Sequence, residues 1–452
     1  MNDLKVGFSR VNANPPLGIS VAGYYIPRYA KGFLDNIEVA ALVLGCKDKK
    51  IALISVDSCG ISEEIFSPWF EAIENATGIP KENIFHGATH THTGPAVKKS
   101  GKDEEDRVIE DYIKFLGERV VDAVKIAVDD LKPSKMGYIV GYAPERVAYI
   151  RRYKMKDGTT MTCPPINDPN IDHPIGSLDQ RVNVVRFDQE DGDSIVLVNY
   201  GLHADTINGE LLSADWPGWM GKTLEKALDG TKYIFFNGAE GDVGSTHVNP
   251  EGGDMNDTEI SFDNEMKSPG MARFVGRAIA GTVLQVYDKV HYVDVDDIDI
   301  LRKDIEVPAN VPAKEALPLA KKYKELHESG RDAEIPYKGM ELTTVVAEAL
   351  RMCRMENGPE SYNVRLTGVK LGPVAMLGIP GEPFTEIGVD IKDTTGWNMI
   401  MPCSLTNGNI GYFPVRSAYE EGGYEARTSP FKAGVAEKII DGAKNLLDEL
   451  GR

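Results

Sequence analysis

Apolar residues in this chain fall in strand-sized runs broken by glycine, proline and asparagine. Between those runs lie longer stretches with an apolar residue every three or four positions. The short runs predict strands at Ile51–Val56, Asn83–His86, Ser194–Tyr200, Tyr233–Phe236, Val374–Leu377 and Met399–Pro402. The periodic stretches predict helices over 62–76, 105–131, 218–228, 270–288, 312–328, 340–356 and 431–449. The last of these reads FKAGVAEKIIDGAKNLLDEL and runs into Gly451, a helix stop. Strand and helix signals that alternate along most of a chain predict an α/β fold, a mixed sheet flanked by helices. Two polar stretches, 153–180 and 246–268, are expected to be loops, and loops of that length often cover a functional site. No internal repeat, low-complexity linker or break in composition divides the sequence, so residues 1–452 are expected to form a single catalytic domain.

The balance of residue types, 42% apolar and 26% charged, is that of an ordinary soluble globular protein. No apolar run approaches the roughly 20 residues of a membrane-spanning helix. The opening MNDLKVGFSR has neither the basic flank nor the apolar stretch of a secretory signal, which predicts a cytoplasmic protein. A formal charge of −19 disfavours nucleic acid and anionic membrane surfaces. The expected partner is a small-molecule substrate, with no stable membrane association. Cys46, Cys59, Cys163, Cys353 and Cys403 are scattered without a C-x-x-C pair, and read as reduced thiols.

Chemistry-bearing residues gather at predicted strand ends. His86, His90 and His92 lie within IFHGATHTHTGP, which opens as a strand and breaks at Thr93-Gly94-Pro95. His-x-His then lies at the carboxyl end of a strand, where open α/β sheets bind their ligands. In an extended backbone, residues two apart point the same way, so both imidazoles can face one cleft. From this segment alone, polar loop histidines are an equal alternative. SIVLVNYGLHAD ends in His203 and Asp205, YIFFNGAEGDVGS carries Glu240 and Asp242, VAMLGIPGEPF ends in Glu382, and IMPCSLTNGNIGYFP ends in Tyr412. Taken singly, these residues could be a core histidine, a solvated acid and a packing tyrosine. Together they form a set of nitrogen and oxygen donors that suits Zn²⁺ better than a soft thiolate site.

With these segments in order, the chain resembles the catalytic domain of the neutral/alkaline non-lysosomal ceramidases. The resemblance runs from VGFSRVNANPPLGISVAGYY to GGYEART, with ATHTHTGP as its most specific marker. NYGLHAD, SADWPG, NGAEGDVG, GIPGEPFTEIG and NGNIGYFPV follow in the family's order. It implies one zinc bound by His90, His203, Glu382 and Tyr412. It also implies that His92 faces the substrate carbonyl, and that Tyr424 and an arginine line the pocket. That arginine is Arg151 or, second, Arg146, with Arg152 also adjacent. Two departures stand out. Where the family has the serine of G-D-x-S-P this chain has Gly244, with Ser245 one place later. The family's immunoglobulin-like C-terminal domain has no counterpart in this sequence.

The reaction the resemblance implies is amide (N-acyl) hydrolysis by a metal-bound water, with His92 or Asp242 as general acid and Tyr424 and Arg151 holding polar groups of the substrate. One rival is a metal-dependent isomerase or lyase, or a hydrolase of a sugar-like substrate, because a fold and its ligands do not fix the chemistry. Another is a non-catalytic metal-bearing binding protein. The polar loops, the net charge and the missing export signal together predict a small polar substrate in preference to membrane ceramide.

Overall fold

The computed structural model describes residues 3–99, 101–260 and 265–452. Two sheets carry its core. The larger has nine strands. Its main path runs Thr231–Asn237, Ser194–Tyr200, Arg181–Gln189, Lys132–Tyr142, Lys5–Asn12, Glu38–Cys46, Lys49–Val56 and Ile84–Ala88, and His291–Val293 pairs with Lys132–Tyr142 off the path. The smaller sheet orders Ile298–Pro308, Ser361–Leu371, Val374–Gly378 and Met399–Cys403.

Side-chain alternation decides what each face meets. Along Glu38–Cys46, Val39, Ala41 and Val43 pack against the helices Glu63–Thr77 and Asp103–Asp129. Ala40, Leu42 and Leu44 turn to the opposite face and join Val369, Val374, Met376 and Met401 of the smaller sheet. At the other end of the large sheet, Val196 and Val198 pack on the helices Asp215–Ala227 and Pro269–Val286, while Ile195 and Leu197 face the inter-sheet core. The outer face of the small sheet, with Leu366, Ala375 and Leu377, is covered by the helix Val435–Leu450. The order is helices, sheet, sheet, helices, so the mixed sheet expected from sequence is in fact two stacked sheets.

Within the two sheets three strand pairs are parallel: Ser194–Tyr200 with Thr231–Asn237, Lys49–Val56 with Ile84–Ala88, and Val374–Gly378 with Met399–Cys403. The large sheet curls until its two edges meet. Ser55 Oγ donates to Phe235 O at 2.6 Å, and the Phe85 and Phe236 rings lie 5.6 Å apart. That curl brings the carboxyl ends of parallel strands from both edges to one place.

The predicted helices and strands all recur, Ser194–Tyr200 with its predicted ends and the others with shifted ones. Stretch 153–180 is not a plain loop, because Arg152–Met155, Thr160–Thr162 and Ile171–Pro174 form a small antiparallel sheet across it. Stretch 246–268 contains a two-residue ribbon, Glu259–Ile260 with Met266–Lys267, and its residues 261–264 lie outside the described residues. No described helix is long and apolar enough to cross a membrane.

Candidate metal centre

The strand Ile84–Ala88 ends two residues before His90, which takes a left-handed backbone at φ 69°. His90 and His92 therefore share a cleft, as the His-x-His spacing predicts, but through a kink and not through extended alternation. The amide of His90 donates to Ser58 O at 2.9 Å and that of His92 to Ala204 O at 2.9 Å, which fixes the kink. Their rings stand perpendicular with centroids 4.7 Å apart. Gly23 (φ 99°) abuts His92 so closely that a Cβ there would lie 2.7 Å from His92 Cβ.

Three donors converge from three parallel-strand ends. Glu382 Oε2 lies 3.3 Å from His90 Nε2 and 3.3 Å from His203 Nε2, and all three side chains are buried. Zn²⁺ bonded at 2.0–2.1 Å in a tetrahedron sets its ligand atoms about 3.3–3.4 Å apart, so the spacing fits such an ion. The outward nitrogens are anchored: His90 Nδ1 lies 2.6 Å from Cys59 O and His203 Nδ1 lies 2.8 Å from Glu240 O. Each carbonyl takes an Nδ1–H and so turns Nε2 toward the site, the usual arrangement behind metal-binding histidines. Among the described residues Glu382 Oε2 is buried without a hydrogen bond, a costly state for a carboxylate oxygen unless a cation faces it. Burial and the Arg151 cation hold His203 down at about 4, and therefore neutral. Burial alone would raise Glu382, but His90 and His203 outweigh it and hold the carboxyl well below its ordinary range.

Tyr412 reaches the same place through a parallel ribbon in which it is the register partner of Glu382. Its hydroxyl accepts from Arg151 Nη2 at 3.1 Å, and its ring meets that of Tyr424 edge-on at 5.7 Å. Arg151 decides between the arginines. It donates through Nε to Glu425 at 2.7 Å and through Nη2 to Gly241 O at 2.8 Å, and its Nη1 lies 3.2 Å from His203 Nε2. Arg146 instead pairs with Asp254, and Arg152 with Glu421 at 3.0 Å. His92 stands beside the triad, its Nε2 3.2 Å from His90 Nε2, and groups with His90 and Cys59 as a second possible donor set.

Asp242, named from sequence as the alternative general acid, is buried, and burial pushes its carboxyl up to about 6. Its Oδ1 accepts from both the backbone and the hydroxyl of Thr385 at 2.8 Å, at the start of the helix Thr385–Lys392. Ser245 lines a separate cavity with Tyr149, His247 and Phe274, none of which belongs to the triad. Sequence reasoning missed Glu425, whose one signal is its place beside Tyr424, and the carbonyl of Cys59, which has none. A cavity of about 440 Å³ adjoins the site, its near wall formed by Gly23, Tyr24, Tyr25 and Cys59 and its sides by Val21, Val97 and Ile109.

No family model matches the chain, and no curated protein matches it by sequence. Solved structures do. The crystal structure of neutral ceramidase from Pseudomonas aeruginosa aligns with a TM-score of 0.71 at 15% identity, covering 99% of this chain and 75% of that one. The fold is that of the neutral ceramidases. A ceramidase complexed with C2 aligns equally well, with a TM-score of 0.71, 14% identity and coverage of 99% and 76%. The neutral ceramidase fold thus persists here at an identity too low for sequence matching to detect.

Proposed function

We propose that this chain is a zinc-dependent hydrolase, a single catalytic unit that cleaves an amide (N-acyl) bond in a small, polar substrate. The observation that carries this reading is the convergence of His90, His203 and Glu382, with Glu382 Oε2 3.3 Å from each histidine Nε2 and both Nδ1 positions anchored. The shared neutral ceramidase fold supports the reaction class. Bound there, Zn²⁺ supplies a Lewis acid and lowers the pKa of a water ligand from 15.7 to about 7. Tyr412, paired in register with Glu382, is the fourth protein donor. His92, outside the triad but facing it, takes a proton from the attacking water at Nε2 and passes it to the departing amine. Arg151 fixes the Tyr412 hydroxyl, and with Tyr424 it holds polar groups of the substrate.

Elemental analysis followed by a substrate screen tests the reading. We expect one zinc per chain and turnover of short N-acyl compounds. Sugar turnover with amides ignored would favour a metal-dependent isomerase or lyase. Zinc with no turnover at all would favour a binding protein.

A further inference from the structure

Beside the triad, three segments distant in sequence meet in one buried polar cluster. The side chain of Lys267 is 4% exposed, and its Nζ lies 2.7 Å from Asp205 Oδ2, 2.6 Å from Tyr24 Oη and against Glu265. The Tyr24 hydroxyl donates to the other oxygen, Asp205 Oδ1, at 2.7 Å. Burying an ammonium is costly unless its hydrogen bonds are satisfied, and here three oxygens surround it. The outcome is an Asp205 carboxylate gripped at both oxygens.

That carboxylate stands next to His92. Oδ2 is 3.6 Å from His92 Nδ1, a buried atom with no hydrogen-bond partner among the described residues. The Tyr24 ring meets the imidazole edge-on at 5.9 Å, and Arg28 Nη2 donates to His92 O at 2.7 Å. The ring is thus held on its backbone side and flanked by Tyr24, with Nδ1 facing Asp205 and Nε2 facing His90.

We propose that Asp205, fixed by Lys267 and Tyr24, takes the Nδ1–H of His92 and so leaves the Nε2 lone pair directed at the site, which makes Asp205 and Lys267 positioning residues. The orientation of His92 stands on this cluster alone, and its consequence for turnover rests on the hydrolase reading above. A carboxylate that selects a histidine tautomer in this way acts without itself reacting, and replacing it by an amide inverts the tautomer.

Heteronuclear NMR of the histidine ring nitrogens in the zinc-loaded protein, with His92→Gln to identify the signal, reads the tautomer directly. The wild type should carry the proton on Nδ1. Asp205→Asn should move it to Nε2, leave zinc content unchanged, and cost about 10–100-fold in kcat, the range for lost ligand-orienting partners, with KM unchanged. Lys267→Met should lose kcat in the same direction, and Lys267→Arg should restore most of it. A wild-type proton on Nε2, or the same tautomer in Asp205→Asn, overturns the proposal whatever the activity. If the wild type turns over no amide while the tautomer moves as expected, the hydrolase reading fails and the positioning role stands.

Discussion

His86 and His90 lie four residues apart and are equally hidden, at 1% and 2% exposed, yet their surroundings are opposite. His86 lies flat on Phe66 with ring centroids 3.5 Å apart and Phe70 close by, and among the described residues neither of its ring nitrogens finds a hydrogen bond. Burial holds it down at about 3, so it is a neutral aromatic plate in an apolar wall. His90 has Cys59 O on one nitrogen, with Glu382 and His92 around the other. The difference teaches that burial alone does not aim a histidine at a site, whereas an anchored far nitrogen does.

The sharpest way to break the comparison is to remove each histidine. His90→Ala should abolish zinc binding and turnover with the fold intact, whereas His86→Leu should keep both. Full zinc occupancy in His90→Ala would end its assignment as a ligand. His92→Ala should keep the metal and lose about 10²–10⁴-fold in kcat, the span for a general acid; equal metal loss in the two variants would make both histidines ligands.

Next in size is the frame around the site. Arg151→Met leaves Glu425 buried without its cation, which costs about 3–5 kcal/mol of stability. Adding Glu425→Gln should recover part of that loss in denaturant titration, and no recovery would mean that the pair is not what matters.

The apolar side of the comparison makes a pH prediction. His86 titrates near 3 when folded and near 6.5 when unfolded. Between those values the unfolded chain binds a proton that the folded chain refuses. Stability therefore falls as pH drops from about 6.5 toward 3, by at most about 1.4 kcal/mol per unit. His86→Leu should show a shallower slope in the same range, and an unchanged slope would refute the account. The smallest effect is expected at Ser245, which lies off the triad. Ser245→Ala should cost less than about tenfold, roughly 1.4 kcal/mol in barrier, and a thousandfold loss would restore a serine nucleophile.

Much of the fold and site was legible because the relevant signals are local. Apolar runs such as Val374–Gly378, buried on both faces, announce themselves as strands, and glycine loops after them mark the donors. Ile298–Pro308 escaped notice because it is half exposed and alternates charged with apolar residues, as IDILRKDIEVP shows. His90 and Glu382 could be picked out by motif, but Lys267 could not. Its partners Asp205 and Tyr24 are brought to it only by the packing of segments 62 and 243 residues away. Nor does any sequence pattern say that the large sheet curls until its edges touch, which is what places His90 beside His203.

The proposed donors enter the chain in a fixed order: His90 and His203 come early, from the large sheet, and Glu382 and Tyr412 late, from loops after the small one. During synthesis the first half can therefore fold its strands and display two imidazoles, but it cannot close a four-donor cage. Under the proposed ligand set, metal capture needs the late segments that carry Glu382 and Tyr412 as well as the early ones. Under the proposed assignment, zinc retention would therefore report that the late segments have docked on the early ones.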